Sequence, residues 1–382
     1  MSWGKKSGAY YIHNSVSLLR GGKDYFERLH NLFNGAKKSI YIRIYIWQDD
    51  YTGTSIANTL ISAAKKGVHI HIIADGYASR SLPKNFIQQL AQNNIQFRLF
   101  EPFLRSSHFY FGRRMHDKVI VIDEQIALVG GINFADRYND VNEEPAWLDY
   151  AIEVKGETAF DLYRYCYKEW HKKQAPPLSG QIVPFDEICS VRPRYNDWVK
   201  GKQQIWKTYF NWFNHAEEEI CILCSYFLPG NTLRKRLALA AKRGVEVKLI
   251  LSGTSDVALA KYAERYLYRW MMRNRMRIFE YRPTVLHAKL MVVDRHWVTV
   301  GSFNVNNIST YASTEVNVDV RNKPFATKVQ SVMEEILQND CTEITTGSPL
   351  YKAGIFTKIA QRFSYDLIRL ILKLTTFYFK RE

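Results

Sequence analysis

The chain reads as an α/β protein made of two tandem copies of one domain, each a mixed, largely parallel sheet flanked by helices. Three observations predict this. Helix-like and strand-like runs alternate through residue 102, and the same alternation returns through residue 283. Strands alternating with helices imply a sheet with parallel neighbours covered on its faces. Each series then leads into the pattern His-x-Lys-x4-Asp-x6-Gly-(Gly/Ser)-x-Asn, which occurs twice. The 382 residues suffice for two domains, each with its own core.

In order, the first series is FERLHNLFNGA, SIYIRIYIW, TSIANTLISAAKKG, VHIHIIAD, FIQQLAQNN and IQFRLFEP. The second is QQIWKTYFNWFNHA, EICILCSYF, TLRKRLALAAKRG, VEVKLILS, the long ALAKYAERYLYRWMMRN, and MRIFEYRP. The stretch QAPPLSGQIVPFDEICSVRPR is Pro-rich and aperiodic, as linkers are. The expected divisions are therefore a first domain at 1–172, a linker at 173–200, a second domain at 201–345, and a tail at 346–382 outside both repeats.

The repeated pattern carries chemistry. Its first copy is His116, Lys118, Asp123, Gly130, Gly131 and Asn133; its second is His287, Lys289, Asp294, Gly301, Ser302 and Asn304. In MHDKVIVID and LHAKLMVVD the His and Lys stand two apart in apolar, β-branched runs, so strand period puts both on one face. The Gly-Gly and Gly-Ser pairs mark a sharp turn presenting Asn133 or Asn304. Each copy offers an imidazole, an ammonium and an amide. Brought together, two copies give a near-symmetric shared site, related by a pseudo-twofold axis, for in-line displacement at phosphorus. The lysines supply the positive charge, so neither metal nor cofactor is called for. Asp123 and Asp294, each following an apolar strand, read as structural residues holding the turn to the Gly pair.

These paired motifs resemble the signature of the phospholipase D superfamily. Within it the chain is most similar to the bacterial cardiolipin synthases, through SVSLLRGGKDYFERL, AKKSIYIRIYIWQDDYTG, AAKKGVHIHIIADGYAS, AAKRGVEVKLIL and FEYRPTVLHAKLMVVDRHWVTVGSFN. The similarity runs over residues 10–345. It implies two tandem phospholipase D-type domains and a phosphatidyltransferase working through a phosphatidyl-histidine intermediate, with phosphatidylglycerol as donor and acceptor. His116 is the implied nucleophile, because the superfamily commonly uses the first-motif His. The superfamily also places a carboxylate behind each motif His. Asp149 in WLDYAIEV is assigned behind His116, and Glu315 in STEVNVDV behind His287. One departure stands out. Such synthases often follow the second Asn with Leu-Asp-x-Arg-Ser, but here the run is Asn304, Val305, Asn306, Asn307, Ile308, Ser309. A hydrolytic phospholipase D-type phosphodiesterase, acting on phospholipid or nucleic acid, is the alternative. A non-catalytic phosphate-binding scaffold is disfavoured because both His-Lys-Asn sets are complete.

Composition agrees with work at an anionic surface. The net charge of +16 suits nucleic acid or an anionic membrane face. The synthase-like flanks and an apolar tail favour the membrane and make nucleic acid the lesser expectation. The five cysteines give no disulfide framework, and Cys221 and Cys224 read as buried thiols in a strand. The N-terminus lacks the apolar core of a signal peptide. Charges interrupt every apolar stretch short of a membrane span. The expectation is a peripheral protein on the cytoplasmic face of the bacterial inner membrane, monomeric because one chain holds both motifs.

Three elements are candidates for attachment or entry. In the tail, Lys358, Arg362, Arg369 and Lys373 form a cationic stripe beside a wide apolar face of Ile359, Phe363, Leu367, Leu370, Leu374 and Phe377. The long helix near 258–273 carries Lys261, Arg265, Arg269 and Arg273 at four-residue spacing. Phe109, Phe111, Arg113 and Arg114 precede the first motif at the expected site entrance.

Overall fold

The computed structural model describes residues 9–101, 113–177, 185 and 188–375, without the side chains of 372–375. Phe109 and Phe111 lie outside the described residues. The chain divides into two compact units. The first comprises Met1–Tyr195, Val300–Ser302 and Thr314–Asn322; the second comprises Asn196–Thr299, Phe303–Ser313 and Lys323–Glu382. A short segment inside the second motif, with Gly301 and Ser302, and a strand after it thus belong to the first unit.

The first stretch of chain holds β1 (Asn14–Arg20), α1 (Lys23–Gly35), β2 (Ser39–Ile44), α2 (Tyr51–Lys65), β3 (His69–Asp75), α3 (Lys84–Gln92) and β4 (Gln96–Phe100). It continues through β5 (Arg114–Met115), β6 (Val119–Ile122), β7 (Ile126–Gly130), β8 (Tyr150–Gly156), α4 (Glu157–His171) and β9 (Ser190–Asp197). β9 is a strand inside the stretch read from sequence as linker; Val191 in it pairs with Tyr11 through two backbone hydrogen bonds of 2.8 Å. Seven strands form one sheet in the order β1-β8-β7-β6-β2-β3-β4. The sheet is mixed, but parallel pairing is confined to β2, β3 and β4. The motif strands β6 and β7 join as an antiparallel hairpin.

Alternation along β2 shows how the layers form. Ile40, Ile42 and Ile44 enter the core with Phe26, Leu29 and Phe33 of α1 and Ile56 and Leu60 of α2. Tyr41 and Arg43, on the other face, meet Tyr163 and Tyr165 of α4. Burial on both faces explains why the strand reads as a nearly unbroken apolar run. α2 begins where the Asp50 side chain accepts the Gly53 N–H (2.8 Å), an N-cap.

The second stretch holds β10 (Lys202–Gln203), α5 (Gln204–His215), β11 (Glu219–Cys224), α6 (Asn231–Lys242), β12 (Glu246–Ser252), α7 (Ala258–Arg273), β13 (Arg277–Tyr281), β14 (Lys289–Val293) and β15 (Trp297–Gly301). It ends with α8 (Asn307–Tyr311), β16 (Ser313–Arg321), α9 (Lys323–Asn339), β17 (Cys341–Ile344) and α10 (Ile355–Thr375). Within the second unit β14, β11, β12, β13 and β17 are successive neighbours, parallel only through β11, β12 and β13. Ile220, Ile222 and Cys224 enter the core beneath α5, α6 and α7. Cys221, one residue out of phase, points to the opposite face. Two thiols on opposite faces cannot share a metal, and burial pushes the Cys224 thiol up to about 11. Both cysteines are buried and free.

The first half of the basic stripe read along α7 is turned inward, while Arg269 and Arg273 stay exposed. Lys261 is buried and pairs with Glu264 (2.6 Å) and Glu280 (3.2 Å), and Arg265 also pairs with Glu280. These cations neutralise buried carboxylates, as buried charges must be neutralised. Among the described residues, no helix is long and apolar enough to cross a membrane.

The two motif aspartates do a job the sequence did not indicate. Asp123 has φ 49° and Glu124 φ 67°; Asp294 and Arg295 repeat this at 50° and 46°. Two left-handed residues in succession suit the mirror-type turns of tight hairpins, and Asp tolerates that region better than most residues. Rather than holding the turn to the Gly pair, the Asp123 carboxylate accepts N–H groups from Lys37, Lys38 and Ser39 at 2.7–2.9 Å. Asp294 accepts those of Glu217, Glu218 and Glu219 at 2.9–3.0 Å. Each therefore pins the loop that feeds the central strand, β2 or β11. Asp123→Ala and Asp294→Ala should each destabilise the chain by about 2–3 kcal/mol in urea unfolding, with Asn costing less because it keeps one acceptor and the left-handed backbone.

Candidate functional site

Each motif is assembled from the end of the central strand, the segment entering the motif strand, and the turn after its hairpin. β3 and β12 both end on a polar residue that fixes the chain just before the His. The Asp75 carboxylate accepts the Met115 N–H (2.8 Å), and the Ser252 hydroxyl accepts that of Leu286 (3.0 Å). Burial raises the Asp75 carboxyl above its usual range, opposed by the N–H groups of Ala78, Met115 and Tyr77.

His116 lies in the first unit with its side chain 16% exposed. Its Nδ1 is 2.9 and 3.1 Å from the two oxygens of Glu315, whose side chain is fully buried. The sequence assignment of Asp149 to His116 and Glu315 to His287 is thereby corrected. β5 pairs with β16, the His116 N–H donates to the Thr314 carbonyl (3.0 Å), and the next residue on β16 meets the imidazole. The Ser302 hydroxyl donates to the same carboxylate (2.5 Å). Asp149 is buried, and its carboxylate accepts the Tyr150 N–H at 2.8 Å.

An ionised carboxylate can only accept, so this contact places the His116 proton on Nδ1 and makes Nε2 the ring nitrogen that carries the lone pair. Lys118 is buried and donates to the His116 carbonyl (2.6 Å), with its ammonium 4.8 Å from the Tyr45 ring centroid. The same ring meets His116 edge to face at 4.8 Å.

In the second unit Lys289 is buried and donates to the His287 carbonyl; its ammonium also lies 3.1 Å from His287 Nδ1 and 3.3 Å from the Ser225 hydroxyl. Ser225 donates to Asn304 Oδ1 (2.7 Å), linking the amide to the ammonium. Asn133 accepts the Ile46 N–H (3.0 Å) and donates to Tyr138 OH (2.9 Å). No motif marks Ser225 or Tyr45, which occupy matching places after β11 and β2.

The glycines serve close packing against the returning strand. A Cβ on Gly130 would lie 2.6 Å from the Tyr150 carbonyl oxygen, and one on Gly301 2.3 Å from that of Val316. Gly131 likewise abuts the Asp149 carboxylate, whereas Ser302 at the matching place has a hydroxyl that reaches Glu315. After Asn304 the departing run forms α8, whose N-cap Asn306 accepts the Ser309 N–H (2.9 Å).

Beneath the first motif lies a buried polar network that sequence reading missed. Asp117, between His116 and Lys118, takes Arg43 at 2.5 and 3.1 Å and the Thr314 hydroxyl at 2.5 Å. Burial alone raises the Asp117 carboxyl, but the Arg43 charge prevails and holds it below the ordinary range. Its contribution to stability is therefore present above the unfolded carboxylate pKa and is lost as pH falls through the lowered value. The second motif has Leu223 and Ala288 at these places, both buried and apolar.

The comparisons agree with this geometry. A sequence profile described as the cardiolipin synthase, PLD-like domain matches residues 29–160 and 209–337. Cardiolipin synthase B of Escherichia coli K12 is 28% identical over 345 residues, covering 87% of this chain and 82% of the relative. Cardiolipin synthase A of Pseudomonas fluorescens Pf-5 is 29% identical over 337 residues, covering 84% and 68%. Among solved structures, phosphatidylserine synthase of Haemophilus influenzae Rd KW20 superposes with a TM-score of 0.71 at 13% identity, covering 97% of both chains. Polyphosphate kinase of Porphyromonas gingivalis does so at 0.61 and 16%, covering 94% of this chain and 53% of that one. At such identities these two likenesses concern the fold.

Two outcomes are expected. In ¹⁵N spectra the neutral imidazole of His116 should be the Nδ1–H tautomer, and Glu315→Ala should shift it toward Nε2–H. Arg43→Leu or Asp117→Ala alone should destabilise by about 3–5 kcal/mol, since each leaves a buried charge unpaired. The double substitution, which copies the second motif, should recover at least half of that loss in a double-mutant unfolding cycle.

Proposed function

The chain belongs to the cardiolipin synthase family of phospholipase D-like proteins, and from that premise we propose that it joins two phosphatidylglycerol molecules into cardiolipin through a phosphatidyl-histidine intermediate. It is an enzyme of the phospholipase D superfamily. The observation that carries the finer reading is the buried Glu315 carboxylate at His116 Nδ1, 2.9 Å away. A lone pair on Nε2 is what nucleophilic attack at phosphorus requires.

In this mechanism His116 Nε2 forms the new N–P bond to the donor phosphodiester. Lys118, Lys289, Asn133 and Asn304 take the non-bridging oxygens and stabilise the charge that gathers there. For Asn133 this requires its amide to give up an internal partner, since both its ends are engaged in the unliganded arrangement. His287, protonated once the Lys289 ammonium has left its Nδ1 for the phosphate, donates to the leaving oxygen as the P–O bond breaks, releasing glycerol. A primary hydroxyl of the second phosphatidylglycerol then loses its proton to the now neutral His287 and attacks phosphorus. The N–P bond breaks, cardiolipin leaves, and both imidazoles return to their starting states. The duplicated motif supports the division of labour, because donor and acceptor steps need one nucleophile and one acid-base group. The basic chain supports a site of action at an anionic membrane.

The test is product analysis with purified protein and isotope-labelled phosphatidylglycerol in detergent micelles. Mass spectrometry should find cardiolipin and free glycerol in equal amounts, and rapid quenching should trap a phosphatidyl adduct on His116. His116→Ala and His287→Ala should each lower the rate on the order of 10³-fold or more. Phosphatidic acid as the dominant product would assign hydrolysis instead, and an adduct on His287 would reverse the two histidines.

A further inference from the structure

α10 is built the wrong way round for a helix that ends in a core. It packs on α7 within the second unit, yet the face it turns inward is polar. Gln361 and Ser364 are the buried residues of its described part. Tyr365 stacks on Tyr266 of α7, with ring centroids 4.9 Å apart, and its hydroxyl accepts from Arg234 (3.1 Å). One face of the helix is thus packed and the other is free.

The outward face is apolar. Phe356 is 84% exposed, Ile355 65%, Phe363 64%, Ile359 59% and Leu370 52%. At about 100° per residue these five fall within an arc of about 100°, and Lys358, Arg362 and Arg369 line one border of it. Asp366, the sole acid in Ile355–Thr375, falls inside this arc near its cationic border, 58% exposed, and lies 3.7 Å from Arg362, whose charge offsets its own. Lys373 continues the cationic border in sequence, but its side chain is outside the described residues. Soluble proteins do not ordinarily leave such a contiguous apolar strip to water. A strip bordered by cations matches one occupant in both respects, an acyl layer beneath anionic headgroups.

We propose that α10 is a fixed membrane-docking helix, anchored to α7 through Tyr365, Gln361 and Ser364 and inserting Phe356, Ile359 and Phe363 into an anionic bilayer. The helix is already folded and seated before it meets lipid, so no ordering of a free tail is needed at docking. The proposal rests on the reading of the substrate as membrane phospholipid, and it names the element that brings the enzyme there. Lys358, Arg362 and Arg369 lie at the headgroups, where attraction is screened by salt.

The experiment is sedimentation of the full chain with vesicles of equal phosphatidylglycerol and phosphatidylcholine, against phosphatidylcholine alone. Wild type should partition at least tenfold more strongly to the anionic vesicles. The triple variant Phe356→Ser, Ile359→Ser, Phe363→Ser should bind at least tenfold more weakly, with an unchanged melting temperature, because all three side chains face solvent. Lys358→Gln, Arg362→Gln, Arg369→Gln should lose the anionic preference and flatten the salt dependence. Equal vesicle binding by the serine variant overturns the proposal. So does a wild-type dimer that the serine variant converts to monomer while vesicle binding persists, since the face is then covered by a second copy. A protein that docks as described but makes no cardiolipin in micelles refutes the proposed reaction and leaves the docking helix standing.

Discussion

Everything asked of His116 depends on where one proton sits. An imidazole with its proton on Nε2 offers nothing to an electrophile approaching from that side. Glu315 prevents this arrangement by taking the Nδ1 proton in a buried hydrogen bond. That bond is held at several points. The Thr314 carbonyl accepts the His116 N–H, the Thr314 hydroxyl donates to Asp117, Ser302 donates to the carboxylate itself, and Asp75 fixes Met115 one residue upstream. A catalytic group must be kept within a few tenths of an ångström by neighbours that are themselves locked. Here the locking residues come from β3, β5, the turn after β15, and β16.

The two repeats share a scaffold and have diverged around it. The same aspartate pins the loop before each central strand, and a polar side chain caps each strand before the His. The differences cluster under and beside the motifs. Arg43 and Asp117 stand where the other repeat has Leu223 and Ala288, and Tyr45 stands where it has Ser225. Tyr45 gives Lys118 an aromatic face, while Ser225 gives Lys289 a hydrogen-bond acceptor. The two ammonium groups are thus held by different forces, a quadrupole in one case and a directional bond in the other.

Much of this was legible in the sequence because it depends on local period. Strand alternation and helix spacing set the βαβ series, and motif duplication marked the six candidate groups. What escaped depends on tertiary partners. His116 and Glu315 are 199 residues apart, and nothing in either motif says that the carboxylate from one repeat serves the histidine of the other. The inward turn of Lys261 could not be seen without Glu280 beside it. Some signals were present and unread. Arg43 interrupts an otherwise apolar strand, and the central residue of the His-x-Lys triplet is charged in one copy and alanine in the other. A charge in a buried run demands a partner, and Asp117 was the nearest unexplained acid.

The aspartate that gives the motif its third fixed position reaches neither imidazole nor ammonium. Its carboxylate is spent on three backbone amides, and its backbone occupies a conformation few residues accept. Selection on folding alone would therefore retain it. A descendant that had lost both histidines would still keep Asp123 and Asp294, for the sake of β2 and β11. In a genome survey the letter D in this pattern is a witness to ancestry and shape. Whether a chain still does chemistry has to be asked of the histidines and of the acid behind the first of them.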